Sequence, residues 1–316
     1  MSHRADNGFR HEAFFYAGND AFLAGTVPFV RAALEANEPI LVAVPEPRLR
    51  ALKMNLDGEG SSVHFVDMEA MGRNPACIIQ AWRDFVAERG GRGRPLRGIG
   101  EPIWHGRSDA ELVECQRHES LLNLAFADAK DFWLLCPYDT TALRSDVITE
   151  AERSHQSILE DDLTRQSDNY LEPAIATGPF DGELPAPSRP PTEIAFQSDS
   201  LRALRQAVAE EATAAGLGAE RASDLVLAVN EVATNSLVHG AGSGRLQMWR
   251  EGDSILCEVR DTGRLEDPLI GRSRPSAEQT QGRGLWLVNQ LCDLVQLRSS
   301  PEGNTVRIHM NTPSMR

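Results

Sequence analysis

Leu225–Gly240 reads LVLAVNEVATNSLVHG, and the C-terminal half of the chain is organised around it. Leu225, Val229, Val232 and Ser236 recur three or four residues apart, flanked by Val226, Ala233 and Leu237. That period predicts a helix with one face turned to a core. Asp224, Glu231 and Asn235 fall on a different face. Glu231 and Asn235 are four residues apart, so their side chains lie one above the other. A carboxylate and an amide held this way can share a metal ion and a water. The same spacing also occurs on ordinary solvated helix faces.

Three further motifs follow in order. Asp261-Thr262-Gly263 ends the strand-like run ILCEVRD, Gly282-Arg283-Gly284-Leu285 comes next, and Thr305 lies in GNTVRIHM. With Glu231-x-x-x-Asn235-x-x-x-His239-Gly240, they resemble the nucleotide motifs of the GHKL, or Bergerat-type, ATP-binding fold over roughly 194–310. Within that superfamily the chain is most similar to anti-sigma regulatory serine kinases. The resemblance implies ATP and Mg²⁺ as cofactors. It gives Glu231 the role of general base and Asn235 that of Mg²⁺ ligand. It makes Asp261 the acceptor for the adenine amino group, with Gly263 in the turn behind it. Gly282 and Gly284 would lie at the phosphates and Thr305 near the adenine. It also implies a sigma factor and an anti-anti-sigma (STAS) protein as partners, and a homodimer. The family often carries Asp-x-Gly-x-Gly, whereas here Arg264 stands in the second glycine's place, which questions the local turn and the nucleotide affinity.

The chain has 316 residues, enough for two ordinary domains, with 25% charged and 41% hydrophobic residues. Its net charge of −14 speaks against a general nucleic-acid binder, which needs a basic surface. Its five cysteines show no zinc-like spacing and read as reduced thiols of a cytoplasmic protein. The first residues lack the apolar core of a signal peptide, and no apolar run is long enough to span a bilayer, so no membrane association is expected.

In the first half, strand candidates alternate with helix candidates. Strands are expected at Phe14–Ala17, Pro39–Val44, from Ser62, within Leu96–Trp104 and at Phe132–Tyr138. Helices are expected over Asn19–Glu35, Glu46–Leu56, Pro75–Glu88 and from Ser108 to about Phe126. Pro28 is expected to kink or divide the first helix, and Ser108 with Glu111 has capping-box spacing. Five alternations predict a mostly parallel sheet covered on both faces. Arg89–Arg97 reads as an exposed turn, since no phosphate-loop pattern is present.

This half resembles the MEDS domain (the methanogen/methylotroph DcmR sensory domain), itself similar to a degraded RecA-like core. The residues that carry the likeness are His11, Tyr16, Gly100-Glu101-Pro102-Ile103-Trp104, Glu119-x-x-x-Asn123 and Cys136-Pro137-Tyr138-Asp139, with His155 near the family's end. Sensing of a small organic compound is what the resemblance implies. Glu101, Tyr138 and Asp139 sit where parallel sheets bind ligands, at the carboxyl ends of strands. His11 lies at the amino end of its strand and is the weaker candidate for that pocket. Cys136 reads as a small buried hydrophobe, and His155 as part of a buried polar network.

The expected organisation is therefore an α/β chain. A sensory domain covers 8–171, a Pro/Gly-rich linker 172–191, and a GHKL α/β sandwich 192–312, with 265–281 a lid over the triphosphate. Three alternatives remain open on the sequence. One is a histidine kinase, for which no suitable phosphoacceptor helix pair precedes the domain. The second is a partner-binding module with a degenerate nucleotide site. The third is a small-molecule sensor whose second half is a scaffold.

Overall fold

The computed structural model describes residues 8–90, 94–172, 182–275 and 282–313. The chain divides into two compact units, 1–179 and 180–316. Among the described residues no helix is long and apolar enough to cross a membrane.

The first unit holds a seven-stranded sheet. Its strands are β1 (Phe9–Tyr16), β2 (Ile40–Val44), β3 (His64–Asp67), β4 (Leu96–Gly100), β5 (Phe132–Asp139), β6 (Ser157–Glu160) and β7 (Leu163–Gln166). The spatial order is β3-β2-β4-β5-β1-β6-β7. Every described pair is parallel except the β6–β7 hairpin. The helices are α1 (Gly18–Glu35), α2 (Glu46–Asn55), α3 (Met68–Met71), α4 (Ile78–Arg89), α5 (Asp109–Ala125) and α6 (Ser145–Ser154). The all-buried ILVAV of β2 is what a strand covered on both faces requires.

Two local expectations have different outcomes. The capping box forms: Ser108 Oγ accepts from the Glu111 N–H, while Glu111 accepts from the Ser108 N–H at 2.8 Å. Pro28, however, does not divide α1, which runs as one element of 18 residues. Phe22, Val27, Phe29, Val30 and Ala33 are buried on either side of the proline. Their packing outweighs the single backbone hydrogen bond a proline removes.

The second unit has a five-stranded antiparallel sheet in the order β11-β12-β10-β9-β8. These strands are β8 (Thr192–Phe196), β9 (Gly244–Glu251), β10 (Ser254–Asp261), β11 (Leu294–Ser300) and β12 (Gly303–Asn311). Helices α7 (Leu201–Ala214), α8 (Ala219–His239) and α9 (Arg283–Leu291) complete it. Leu225, Ala228, Val229, Val232, Ala233 and Ser236 form the buried side of α8. They meet Ile255, Cys257 and Val259 of β10 and Val306, Ile308 and Met310 of β12 in one core.

The opposite face of this sheet is also occupied. Glu258 is fully buried there, and its carboxylate accepts from Arg307 Nε at 2.7 Å and from Arg260 Nε at 2.7 Å. Arg307 Nη2 also donates to the Pro185 carbonyl at 2.7 Å, and Leu184 is buried. The described part of the expected linker thus packs on its own unit; residues 173–181 lie outside the described ones.

Candidate functional sites

In the second unit the site is built where α8, β10, β12 and α9 converge. Asp261 ends β10, and three donors fix its carboxylate. Ser236 Oγ reaches Oδ2 at 2.6 Å, while Oδ1 accepts from the Gly263 N–H at 2.8 Å and from Asn304 Nδ2 at 2.9 Å. A carboxylate has about four acceptor positions, so Asp261 can still take one more N–H. Gly240 makes the space: a Cβ there would stand 2.7 Å from Asp261 Cγ. Asn304 is held in turn by Ser299, whose hydroxyl donates to its Oδ1 at 2.7 Å and accepts from the Leu265 N–H at 3.0 Å.

A cavity of about 340 Å³ opens beside this carboxylate, and Asn235, Asp261, Gly282, Leu285, Asn304 and Val306 lie on its walls. Gly284, in the first turn of α9, packs against Glu231 and Asn235. A Cβ on it would fall 3.0 Å from Glu231 Oε2 and 3.2 Å from Asn235 Nδ2. Gly282, at φ 83°, turns the chain into α9, whose first N–H groups have no partner within the helix, an arrangement suited to phosphate.

The structure therefore brings Glu231, Asn235, Asp261, Gly263, Gly282 and Gly284 together. It does not bring Thr305 with them. Strand side chains alternate between faces: Asn304 and Val306 face the cavity and helices, and Thr305 falls on the other face. Arg264 is exposed at the cavity rim and has no left-handed φ, so the turn does not require the glycine that is missing there. Of the expected lid, residues 276–281 lie outside the described ones.

In the first unit, the residues expected to form one pocket separate into two sites for the same reason of alternation. Tyr16 and Asp139 sit on the face covered by α1 and α2. There Tyr16 Oη donates to Glu101 Oε1 at 2.8 Å, Arg48 Nε lies 3.0 Å from the same oxygen, and Arg48 Nη2 donates to Asp139 at 3.2 Å. Asp139 also accepts from the Thr141 N–H and hydroxyl and from the Gly18 N–H, which hold its carboxyl below the usual range against the cost of burial.

Burial pushes Glu101 up from 4.5 to about 8, although Arg48 and Tyr16 pull it down. The folded state thus holds a proton there that the unfolded chain gives up near 4.5. This contribution to stability is complete below about 4.5 and is lost as pH rises through about 8. Denaturation midpoints of the first unit should accordingly fall across that window. Glu101→Gln should flatten the decline; an unchanged slope would contradict the assignment.

Tyr138 and His11 belong to the opposite face, under α5 and α6. His11, Glu119, Cys136 and His155 converge there, all buried, with one ligand-type atom from each lying within 4.8 Å of the others. From the sequence Cys136 reads as a small buried hydrophobe and His155 as part of a buried polar network, and the four residues come from β1, α5, β5 and the end of α6. No local spacing announces them.

Two family models match the chain. The one described as MEDS, the MEthanogen/methylotroph, DcmR Sensory domain, matches residues 10–156. The one described as a histidine kinase-like ATPase domain matches residues 194–310. No curated protein matches. Among solved structures, one similar chain is that of the RsbU and RsbW domains of Rv1364c from Mycobacterium tuberculosis. It is 18% identical over 39% of this chain and 32% of that one, with a TM-score of 0.31. Another is the histidine kinase AdeS from Acinetobacter baumannii, 11% identical over 40% of this chain and 70% of that one, with a TM-score of 0.24. The chain thus spans about a third of the mycobacterial chain it matches.

Proposed function

From a chain that joins a MEDS sensory domain to a histidine kinase-like ATPase domain, we propose a protein serine/threonine kinase of the anti-sigma regulatory type. It binds ATP with Mg²⁺, phosphorylates an anti-anti-sigma (STAS) partner and holds a sigma factor. The observation that carries this reading is the Glu231–Asn235 pair on α8, packed against Gly284 and adjoining a cavity that ends at the three-donor carboxylate of Asp261.

Each residue has a defined task. Asp261, with one acceptor position left, takes an N–H from the adenine. The Asn235 amide oxygen is a hard donor that would help hold Mg²⁺, whose charge would stabilise the transferring phosphoryl group. The N-terminus of α9 offers backbone N–H groups to phosphate. Glu231 accepts the proton of the incoming hydroxyl, provided it reaches hydrogen-bond distance in the complex. A phosphate added to the STAS partner places negative charge at its binding surface and weakens its hold, leaving the kinase to the sigma factor. The first unit biases this exchange through its ligand, and the protein acts as a cytoplasmic homodimer.

The test is phosphorylation of a purified STAS-domain partner by the full chain with γ-labelled ATP. Label on a serine or threonine of the partner, absent without Mg²⁺, is the expected result. A chain that binds ATP yet labels its own histidine, or labels nothing while still binding the sigma factor, would overturn the kinase assignment in favour of a histidine kinase or a sequestration module respectively.

A further inference from the structure

We propose that His11, Glu119, Cys136 and His155 form a four-ligand site for a divalent metal ion that prefers thiolate and imidazole, with zinc as the first fit. The hydrogen-bond directions carry the argument. His11 Nδ1 lies 3.1 Å from Asn123 Oδ1, and Asn123 Nδ2 is already spent on the Ser154 carbonyl at 2.7 Å. The Asn123 oxygen therefore accepts, His11 Nδ1 carries the proton, and Nε2 presents a lone pair inward. His155 Nδ1 lies 2.8 Å from the Ala151 carbonyl, which can only accept, so its Nε2 also presents a lone pair inward.

These lone pairs face the Glu119 carboxyl and the Cys136 thiol. His11 Nε2 stands 3.0 Å from Glu119 Oε2 and 3.3 Å from Cys136 Sγ, and His155 Nε2 stands 3.6 Å from Glu119 Oε2. His155 Nε2 and Glu119 Oε1 are buried with no hydrogen-bond partner. The Cys136 S–H and a Glu119 carboxyl proton are at most two donors, and His155 Nε2 and Glu119 Oε1 are left without one. Buried acceptors left unpaired are costly, and a cation at their centre satisfies them together.

Geometry and charge agree. Tetrahedral zinc with N, O and S ligands at about 2.0–2.3 Å places ligand atoms about 3–4 Å apart; three of the separations here are 3.0, 3.3 and 3.6 Å, and all four ligand atoms lie within 4.8 Å of one another. Outer contacts from Nδ1 to an amide or backbone oxygen are what fix metal-binding histidines. Burial keeps both imidazoles neutral, lowering each to about 3, as a ligand must be. Burial also raises Glu119 to about 7 and Cys136 well above the ordinary thiol. A divalent ion balances the Glu119 carboxylate and the Cys136 thiolate to zero net charge. As it binds, the S–H bond breaks, the electron pair goes to the metal–sulfur bond and the proton leaves to solvent, together with any proton on Glu119. No electron is transferred.

The test uses the untagged full chain. Protein as purified is assayed for zinc by mass spectrometry, then stripped and titrated with Co²⁺. The expected result is a single equivalent bound per chain, with acid release, a thiolate-to-cobalt charge-transfer band and the strong visible bands of tetrahedral cobalt. Cys136→Ser should lose the charge-transfer band, whereas Cys77→Ser and Asn235→Ala should keep it. If Cys136→Ser fails to fold, the spectrum of the unaltered chain decides. Folded protein that binds no cobalt, or binds it without a thiolate band, overturns the proposal. Neither outcome depends on the ATP site.

Discussion

Arg307→Ala is expected to destabilise the second unit by roughly 3 kcal/mol, the cost of leaving a buried charge without its partner. Glu258 is 0% exposed and Arg307 4%, so solvent cannot take over the lost interaction. Arg260 remains on Glu258 and keeps the loss at the lower end of the range, although the Pro185 carbonyl also loses its donor. Glu258→Gln combined with Arg307→Met should recover most of the stability, because it removes both charges. Denaturant midpoints of the full chain, with hydrogen exchange read on β10 and β12, measure this. A shift of a few tenths of a kcal/mol would mean that the outer face of the sheet is wet.

Glu231→Gln is expected to lower phosphotransfer by about 10²–10⁴-fold, the usual worth of a general base, while leaving ATP affinity within a few-fold. The amide keeps the size and packing of the side chain beside Gly284 but cannot accept the hydroxyl proton. A parallel loss of affinity would instead make Glu231 part of the nucleotide cradle. Single-turnover rates and nucleotide titrations on the same preparation separate the two.

The convergence of Glu231, Asn235 and Gly284 in the second unit was legible because it follows local rules. The 3.6-residue period of α8 placed Glu231 and Asn235 together, and the glycines marked close approaches. What escaped depended on tertiary register. Ser236 read as a member of the apolar stripe, yet its hydroxyl holds Asp261. Asn304, not Thr305, reaches Asp261, because a strand turns every second side chain to the opposite face.

In the sensory half the alternation of strands and helices announced the parallel sheet. The β6–β7 hairpin went unseen, since SILE and LTRQ are too short to show a period. Glu101, Tyr138 and Asp139 read as one pocket because they lie at the carboxyl ends of strands. Their facing directions were hidden, and with them the convergence of His11 and Glu119 from positions 108 residues apart.

Asn235 and Asp261 are the two ends of the proposed Mg²⁺-dependent ATP site. A calorimetric titration of the full chain with ATP, with and without Mg²⁺ and with Asn235→Ala alongside, tests it most directly. Binding is expected to require Mg²⁺ and to be lost in the variant. Folded protein that takes up no ATP with Mg²⁺ present, or binds it equally well with the Asn235 amide removed, would contradict it.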